Sequence, residues 1–147
     1  MTKKEWDAVR FFTPLENWGN PGLMFSGLVN ELDLMRGHLG VRIFISCGTQ
    51  GEHTKDSWHY RGRAVDIIVP ETGDLGLLDV LFESFRFGFT GIGLYRDWLY
   101  NGKRTGGLHL EMAPAQPIRK LWLCTNESGV QVYYPLSQAT LSKYKII

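Results

Sequence analysis

Residues 57–66 read SWHYRGRAVD, and residues 108–111, far downstream, read LHLE. These two stretches supply two imidazoles and one carboxylate, those of His59, His109 and Asp66. Two nitrogen ligands and one oxygen ligand on a tetrahedral zinc ion leave the fourth position open for water, which is the composition of a catalytic rather than a structural site. We therefore predict a Zn²⁺ cofactor held by His59, Asp66 and His109.

Asp66 lies in a run that favours a buried strand. Residues 64–69 read AVDIIV, and Pro70 closes the run. Apolar residues on both faces are typical of a central strand that is covered on both sides. A carboxylate there is costly unless it is paired or bound to a metal. The spacing alone leaves one alternative open, in which a buried histidine, a loop-bonded acid and a second histidine are unrelated.

The remaining sequence indicates two helices and several strands. Apolar residues at three- and four-residue spacing predict a helix over 28–39, ended by Gly37 and Gly40, and a second helix over 75–87. Alternating or β-branched runs predict strands at 41–46, 64–69, 91–95 and 108–112, a polar loop at 96–107, and a closing hairpin from 121–124 to 130–134. Helices and strands do not alternate regularly, so the predicted fold class is α+β.

The composition narrows the functional classes. A chain of 147 residues is expected to form one domain over residues 1–147. The net charge is +1 with no basic stripe, which argues against a nucleic-acid partner. No apolar run approaches the ~20 residues of a membrane span, and no signal peptide is recognised, so we expect synthesis in the cytoplasm. The two cysteines, Cys47 and Cys124, are expected to be reduced and partly buried.

A wider pattern surrounds the three predicted ligands. Ser-x-His-x-x-Gly-x-Ala-x-Asp, then Gly-x-Gly-x-Tyr and a His-x-Glu strand, resembles the D-alanyl-D-alanine carboxypeptidase family of zinc peptidases. That family includes phage L-alanoyl-D-glutamate endopeptidases and shares its fold with the hedgehog signalling domain. The resemblance covers residues 41–112, and the matching positions are Ser57, His59, Gly62, Ala64, Asp66, Gly91, Gly93, Tyr95, His109 and Glu111. It implies a small, mostly antiparallel sheet with helices packed on one side and a zinc cleft on the other.

The resemblance also implies an activity and a substrate. It predicts zinc-dependent hydrolysis of a peptide bond in bacterial peptidoglycan, of the D,D-carboxypeptidase or L,D-endopeptidase type, with a stem peptide as the partner of a monomeric enzyme. A small chain of this type suits a phage lysis enzyme that acts on the cell wall once it is released. The alternative is a catalytically silent zinc-binding domain, for example a structural or wall-binding part of a phage particle.

The general base departs from the family pattern. Members commonly carry an acid three residues before the last histidine ligand or a histidine two residues before it, and this chain has Gly106 and Gly107 there. Glu111 is the nearest candidate, because residues two apart on a strand point the same way and Glu111 therefore shares a face with His109. The alternative is that Glu111 only supports a ligand or is an ordinary exposed acid. Asp97, in the 96–107 loop, is a more distant candidate.

Three residues are candidates for substrate binding. The family usually has an arginine shortly after its first strand, where this chain reads SCGTQ at 46–50. Gln50 can bind a peptide carbonyl but cannot clamp a carboxylate as a guanidinium does, so cleavage within a peptide is at least as plausible as removal of a terminal residue. Ser57 either contacts a ligand or caps a turn, and Tyr95 either points its hydroxyl at the reacting carbonyl or is a core aromatic. His53 either lines the cleft or is exposed, and Trp98 and Tyr100 are candidates for a groove wall.

Overall fold

The computed structural model describes residues 1–70 and 76–146. Its centre is a six-stranded sheet in the order β1-β2-β6-β3-β7-β8, which is antiparallel except where β3 pairs with β7 in parallel. A separate two-stranded hairpin consists of β4 and β5. The strands are β1 (Phe44–Cys47), β2 (Ala64–Ile68), β3 (Gly91–Tyr95), β4 (Leu99–Tyr100), β5 (Lys103–Arg104), β6 (Gly107–Glu111), β7 (Lys120–Glu127) and β8 (Val130–Pro135).

Four α-helices accompany the sheet in the described part of the chain, so the predicted α+β class with a mostly antiparallel sheet is confirmed. They are α1 (Lys3–Asp7), α2 (Ser26–Leu39), α3 (Leu77–Ser84) and α4 (Gln138–Lys143), and a short 3-10 helix spans Trp58–Arg61. Within the residues that the structure describes, no helix is both long and apolar enough to cross a membrane.

One face of the sheet forms the hydrophobic core. A cross-strand row of four apolar side chains runs through its centre, and each of them is 0–1% exposed. The row consists of Ile67, Leu108, Leu94 and Leu123. It packs in one cluster with apolar residues of α2 and α3. Because strand side chains alternate between faces, the intervening residues point the other way, and these form the opposite face of the sheet.

The opposite face carries the polar residues. Asp66 on β2 is paired with His109 on β6, which in turn is paired with Gly93 on β3 and, through it, with Trp122 on β7. Directly paired residues project to the same side of a sheet. The two predicted metal ligands on strands are therefore cross-strand neighbours, and the alternation of β2 and β6 directs both of them away from the core.

The loop that follows β1 is anchored by the N-terminal segment. Trp18 is fully buried, and its carbonyl accepts hydrogen bonds from the Thr49 amide and hydroxyl at 2.7 and 3.1 Å. Gly48 lies so close to the Trp18 backbone that a Cβ at position 48 would overlap with it. The close packing of these two segments fixes the main chain of residues 47–50. This loop includes the Gly48 carbonyl, which contacts His59 beside the polar face of the sheet.

Several predicted element boundaries differ from the structure. The predicted strand at 41–46 is β1, which begins only at Phe44. Gly37 lies inside α2, which ends at Leu39 and is capped by Gly40 in the left-handed conformation (φ 66°). The predicted helix over 75–87 is the shorter α3, and residue 75 lies outside the described residues. The predicted polar loop at 96–107 contains the β4–β5 hairpin. The hairpin of β7 and β8 is confirmed.

Candidate metal centre

Three donor atoms converge on the polar face of the sheet. His109 Nδ1 lies 2.9 Å from Asp66 Oδ1 and 3.1 Å from His59 Nε2, and the last two atoms are 3.3 Å apart. With bonds of about 2.0–2.2 Å, the ligand atoms of a tetrahedral zinc ion lie roughly 3.3–3.5 Å apart. Outward shifts of a few tenths of an ångström would therefore place an ion between the three atoms. All three residues have low exposure, between 2% and 9%.

The third ligand reaches this place through a short helical turn. His59 lies in the 3-10 helix before β2, where the Ser57 hydroxyl accepts a hydrogen bond from the His59 amide at 3.3 Å. Gly62 ends the turn in the left-handed conformation, with φ 64°. A Cβ at position 62 would overlap with the Leu23 carbonyl, so a glycine is needed there for both reasons. The sequence between His59 and Asp66 thus folds back to bring the two side chains together.

The orientation of His59 is fixed by a main-chain carbonyl. His59 Nδ1 lies 2.6 Å from the Gly48 carbonyl oxygen, which can only accept a hydrogen bond. The proton is therefore on Nδ1, and the lone pair of Nε2 faces Asp66 and His109. Metal-bound histidines almost always donate their other ring N–H to such a partner.

The orientation of His109 is fixed by Glu111. Glu111 Oε2 lies 3.2 Å from His109 Nε2, so His109 directs Nδ1 toward the other two donors. The imidazole ring of His109 therefore lies between the Glu111 carboxylate and the other two donor atoms, Asp66 Oδ1 and His59 Nε2. This arrangement supports the interpretation that Glu111 positions a ligand, and its role as general base stays a prediction.

When no metal is bound, the negative charge of the centre is balanced by a proton on His109. Burial acts to raise the pKa of Asp66, but its contacts with the two histidines, chiefly the hydrogen bond from His109, outweigh burial and lower the pKa to about 2. Burial acts to lower the pKa of His109, but hydrogen bonds to Asp66 and Glu111 raise it to about 9. Without a metal, His109 is therefore a cation between two carboxylates. A metal ion that replaces the Nδ1 proton keeps positive charge at the same point, so these residues fit the predicted ion.

The centre lies at the bottom of a cavity of about 810 Å³ with aromatic walls. The wall residues are Trp58, Tyr95, Trp98, Trp122 and Tyr133. The indole of Trp122 lies against Gly93, where a Cβ would overlap with the ring, and its centroid is 5.3 Å from that of His109. Glycine at position 93 therefore makes room for a bulky side chain beside the ligands.

The substrate-binding candidates differ in their positions. Tyr95 lines the cavity, stacked on Trp98 with ring centroids 4.2 Å apart, and burial raises the pKa of its hydroxyl well above the ordinary value. Ser57 caps the 3-10 helix and also lines the cavity. The Gln50 side chain instead donates to the Asn17 carbonyl and side chain and accepts from the Gly48 amide. The substrate-binding role of each of these residues stays a prediction.

A side chain at either of the two glycines that replace the usual base would require its neighbours to move. Gly106 has φ 65°, and a Cβ there would overlap with the Leu77 side chain. A Cβ at Gly107 would overlap with the Ile67 carbonyl and would lie 2.5 Å from the Trp98 ring. An acid or a histidine at either position would therefore require a different local structure.

Other residues around the centre were less apparent from the sequence. His53 lines the cavity, and its ring is stacked on that of His59 with centroids 3.9 Å apart. Trp122 had no signal beyond the alternation of its strand, and the Gly48 carbonyl has none at all. Of the predicted alternatives, Asp97 accepts a hydrogen bond from the Asn126 amide. Tyr100 packs against Phe44, with ring centroids 5.2 Å apart.

Comparison of the chain with protein-family models, with curated proteins and with solved structures found no match.

Proposed function

We propose that this protein is a zinc-dependent peptidase that hydrolyses a peptide bond in bacterial peptidoglycan, with a fold of the D-alanyl-D-alanine carboxypeptidase and hedgehog type. The observation that carries the proposal is the convergence of His59 Nε2, Asp66 Oδ1 and His109 Nδ1, 2.9–3.3 Å from one another, beneath an open cavity. Three protein ligands with an open fourth side are what a catalytic zinc site requires.

The donor set suits zinc among the common metal ions. Two imidazoles and one carboxylate are ligands that zinc accepts, whereas magnesium and calcium prefer oxygen ligands. A zinc ion in such a site supplies Lewis acidity toward a carbonyl oxygen and activates water at neutral pH. The chain itself holds the two imidazoles in place through the Gly48 carbonyl and Glu111.

The residues that line the cavity support the proposal that the substrate is a peptide cleaved at an internal bond. Tyr95 lines the cavity with its ring centroid 6.4 Å from that of His109, and the raised pKa of its hydroxyl keeps it protonated, so it is the side chain that we propose as a donor to the oxygen of a reacting carbonyl. Lys120 is the one lysine among the described lining residues, which include no arginine. The Lys120 side chain is exposed, so it is a weak anchor for a terminal carboxylate. We therefore favour the endopeptidase type over the carboxypeptidase type.

Glu111 has one of two roles in this proposal. Its hydrogen bond to His109 supports the positioning of that ligand. For Glu111 to take a proton from the attacking water, its carboxylate would have to leave His109 during the reaction.

A second candidate function is a zinc-binding domain without catalysis. Two observations favour it: Gly106 has a left-handed backbone conformation that disfavours the acid that the family pattern places there, and Glu111 is bonded to His109. Such a domain would keep the metal for stability and would bind the cell wall or another phage component without cleaving it.

One experiment separates these functions. The protein is purified without chelator, its zinc content is measured, and purified peptidoglycan is digested and analysed by mass spectrometry for newly freed amino groups. His109→Gln tests the centre. The matched control is His38→Gln, since His38 lies at the end of α2 and pairs with Glu83 at 2.7 Å.

The outcomes are distinct. Stoichiometric zinc with product formation that is lost in His109→Gln and kept in His38→Gln supports the peptidase. Stoichiometric zinc with no product supports the silent domain. Protein that binds no zinc at neutral pH contradicts both.

A further inference from the structure

A second group of metal-ligating atoms lies beside the first, in the loop after β1. Cys47 Sγ is 3.5 Å from His53 Nε2, and the Gln50 carbonyl oxygen is 2.9 Å from both atoms. With a zinc–sulfur bond of about 2.3 Å and a zinc–nitrogen bond of about 2.0–2.1 Å, sulfur and nitrogen ligands of one tetrahedral ion lie roughly 3.5 Å apart. The thiol and the imidazole therefore already have the separation that a shared ion requires.

This group is separate from the first centre. The ligand atoms of Cys47, His53 and His59 all lie within 4.8 Å of one another, which suggests His59 as a shared ligand. However, the rings of His53 and His59 are stacked with an angle of only 7° between their planes. The lone pair of an imidazole nitrogen lies in the plane of its ring, so two parallel stacked rings cannot direct lone pairs at one ion. His59 faces the first centre, and His53 is left to the second.

The loop that presents these atoms is held in a fixed conformation. The Gln50 side chain donates to the Asn17 carbonyl at 2.9 Å and to the Asn17 side chain at 2.7 Å, and it accepts from the Gly48 amide at 3.0 Å. These bonds fix the turn from Cys47 to Gln50, so that the Gln50 carbonyl faces both the thiol and the imidazole. This is a structural use of the glutamine that the sequence pattern assigned to substrate.

We propose that Cys47 Sγ and His53 Nε2, with the Gln50 carbonyl oxygen, form a second metal site for a thiophilic ion such as Zn²⁺ or Cd²⁺, distinct from the centre of His59, Asp66 and His109. A thiolate ligand selects soft and borderline metals. On binding, the metal–sulfur bond replaces the S–H bond, and the thiol proton is released to solvent. The proton that His53 Nε2 donates to the Gln50 carbonyl moves to Nδ1 by exchange with solvent, which frees the Nε2 lone pair for the metal. Both side chains are half-buried, and His53 lines the cavity, so an ion can enter from solvent.

The two sites are expected to fill one after the other. The first centre has a buried carboxylate in addition to two imidazoles, whereas the second has a thiol that must lose its proton. Two divalent cations on neighbouring residues also repel each other. We therefore expect one ion to bind tightly and a second to bind more weakly.

A cadmium titration of the whole chain tests the proposal. Coordination of cadmium by a thiolate produces a charge-transfer band in the ultraviolet, and coordination by nitrogen and oxygen does not. We expect the unmodified protein to bind two ions per chain and to show this band. Cys47→Ser should bind one ion without the band, and His53→Gln should weaken the band-forming step at least tenfold. The matched control is Cys124→Ser, which removes the other cysteine and should keep the band.

Asp66→Asn separates the two centres and distinguishes this proposal from the proposed function. It should weaken binding at the first centre and leave the thiolate band unchanged. Cadmium NMR of the unmodified protein gives a second measurement that does not depend on folded variants, since a thiolate ligand shifts the resonance strongly. The proposal is overturned if the unmodified protein shows no thiolate signal by either method, if the band persists in Cys47→Ser, or if it disappears in Asp66→Asn.

Discussion

Glu111 and Gly91 are paired across β6 and β3, and the Glu111 carboxylate occupies the space that a side chain at position 91 would take. The absence of a side chain at Gly91 lets Glu111 lie against the sheet within 3.2 Å of His109 Nε2. The first glycine of the Gly-x-Gly-x-Tyr strand thus supports the orientation of His109, a predicted metal ligand on the neighbouring strand.

Substitution of Gly91 should therefore weaken metal binding. In Gly91→Ala the new methyl group displaces Glu111 from His109, and the loss of such a partner typically lowers metal affinity by about 10- to 100-fold. Zinc affinity can be measured by competition with a chromogenic chelator. The control is a double-mutant cycle with Glu111→Ala. In the Glu111→Ala background, Gly91→Ala should have little further effect, and an equally large second loss would contradict the proposed mechanism.

Stability of the metal-free protein should depend on pH through two groups. The pKa of His109 is raised in the folded state to about 9, so its contribution is complete below its unfolded pKa of about 6.5 and is lost as pH rises through 9. The pKa of Asp66 is lowered to about 2, so its contribution is present above about 3.9 and is lost as pH falls through 2. Urea denaturation of chelator-treated protein should thus show less stability at pH 9 than at pH 6. The same comparison in His109→Gln should be nearly flat.

Metal binding should show the opposite trend in this pH range. Zinc must displace the proton from His109, so its affinity is expected to rise by up to tenfold per pH unit as pH increases toward 9. Calorimetry in buffers with different ionisation enthalpies should detect the release of about one proton per zinc ion at pH 7. Zinc uptake without proton release would contradict a protonated His109 in the metal-free centre.

Gly106 should tolerate alanine poorly, and Gly102 provides a matched comparison. Both have positive φ, 65° and 75°, which costs an alanine about 1–2 kcal/mol. A Cβ at Gly106 also overlaps with Leu77, whereas a Cβ at Gly102 meets nothing within 4 Å. We expect Gly106→Ala to be less stable than Gly102→Ala by about 1–3 kcal/mol in urea denaturation. Equal stabilities would show that position 106 has room for a side chain.

Removal of the Tyr95 hydroxyl tests the proposed peptidase. If the hydroxyl stabilises the reacting carbonyl, Tyr95→Phe should lower kcat by about 10²-fold or more with little change in KM. Tyr134→Phe is the control, because its hydroxyl bonds Glu127 at 2.6 Å in a separate cluster. A change in KM alone would assign Tyr95 to substrate binding.

The sequence contained strong signals for some parts of the centre and none for others. Asp66 was recognisable as a lone charge in an apolar strand, and the alternation of β6 correctly placed Glu111 on the face of His109. The pairing of Asp66 with His109 was not predictable, because the register of strands that are distant in sequence depends on the packing of the whole sheet. The supporting role of the Gly48 carbonyl was not predictable either, because every residue has the same carbonyl group.

Side chains with two possible uses were the hardest to interpret. Gln50 has a polar amide after a strand, which suits substrate binding, and its contacts with Asn17 were not predictable because Asn17 lies 33 residues earlier in the chain. The short helices α1 and α4 were missed because a helix of five or six residues has too few turns to show a period.

The packing of Trp18 against the 47–50 turn has a consequence for how the centre assembles. The backbone bond from Thr49 to Trp18 spans about thirty residues, and His59 and His109 are separated by 50. Contacts of such long sequence separation form slowly, since chain entropy must be lost before they contribute. Because the 47–50 turn also packs on Trp18, residues 41–112 alone are not expected to be an autonomous folding unit. A fragment that begins at residue 41 would lack Trp18, which packs against Gly48. The Gly48 carbonyl would then not hold the His59 imidazole in the orientation that metal binding requires.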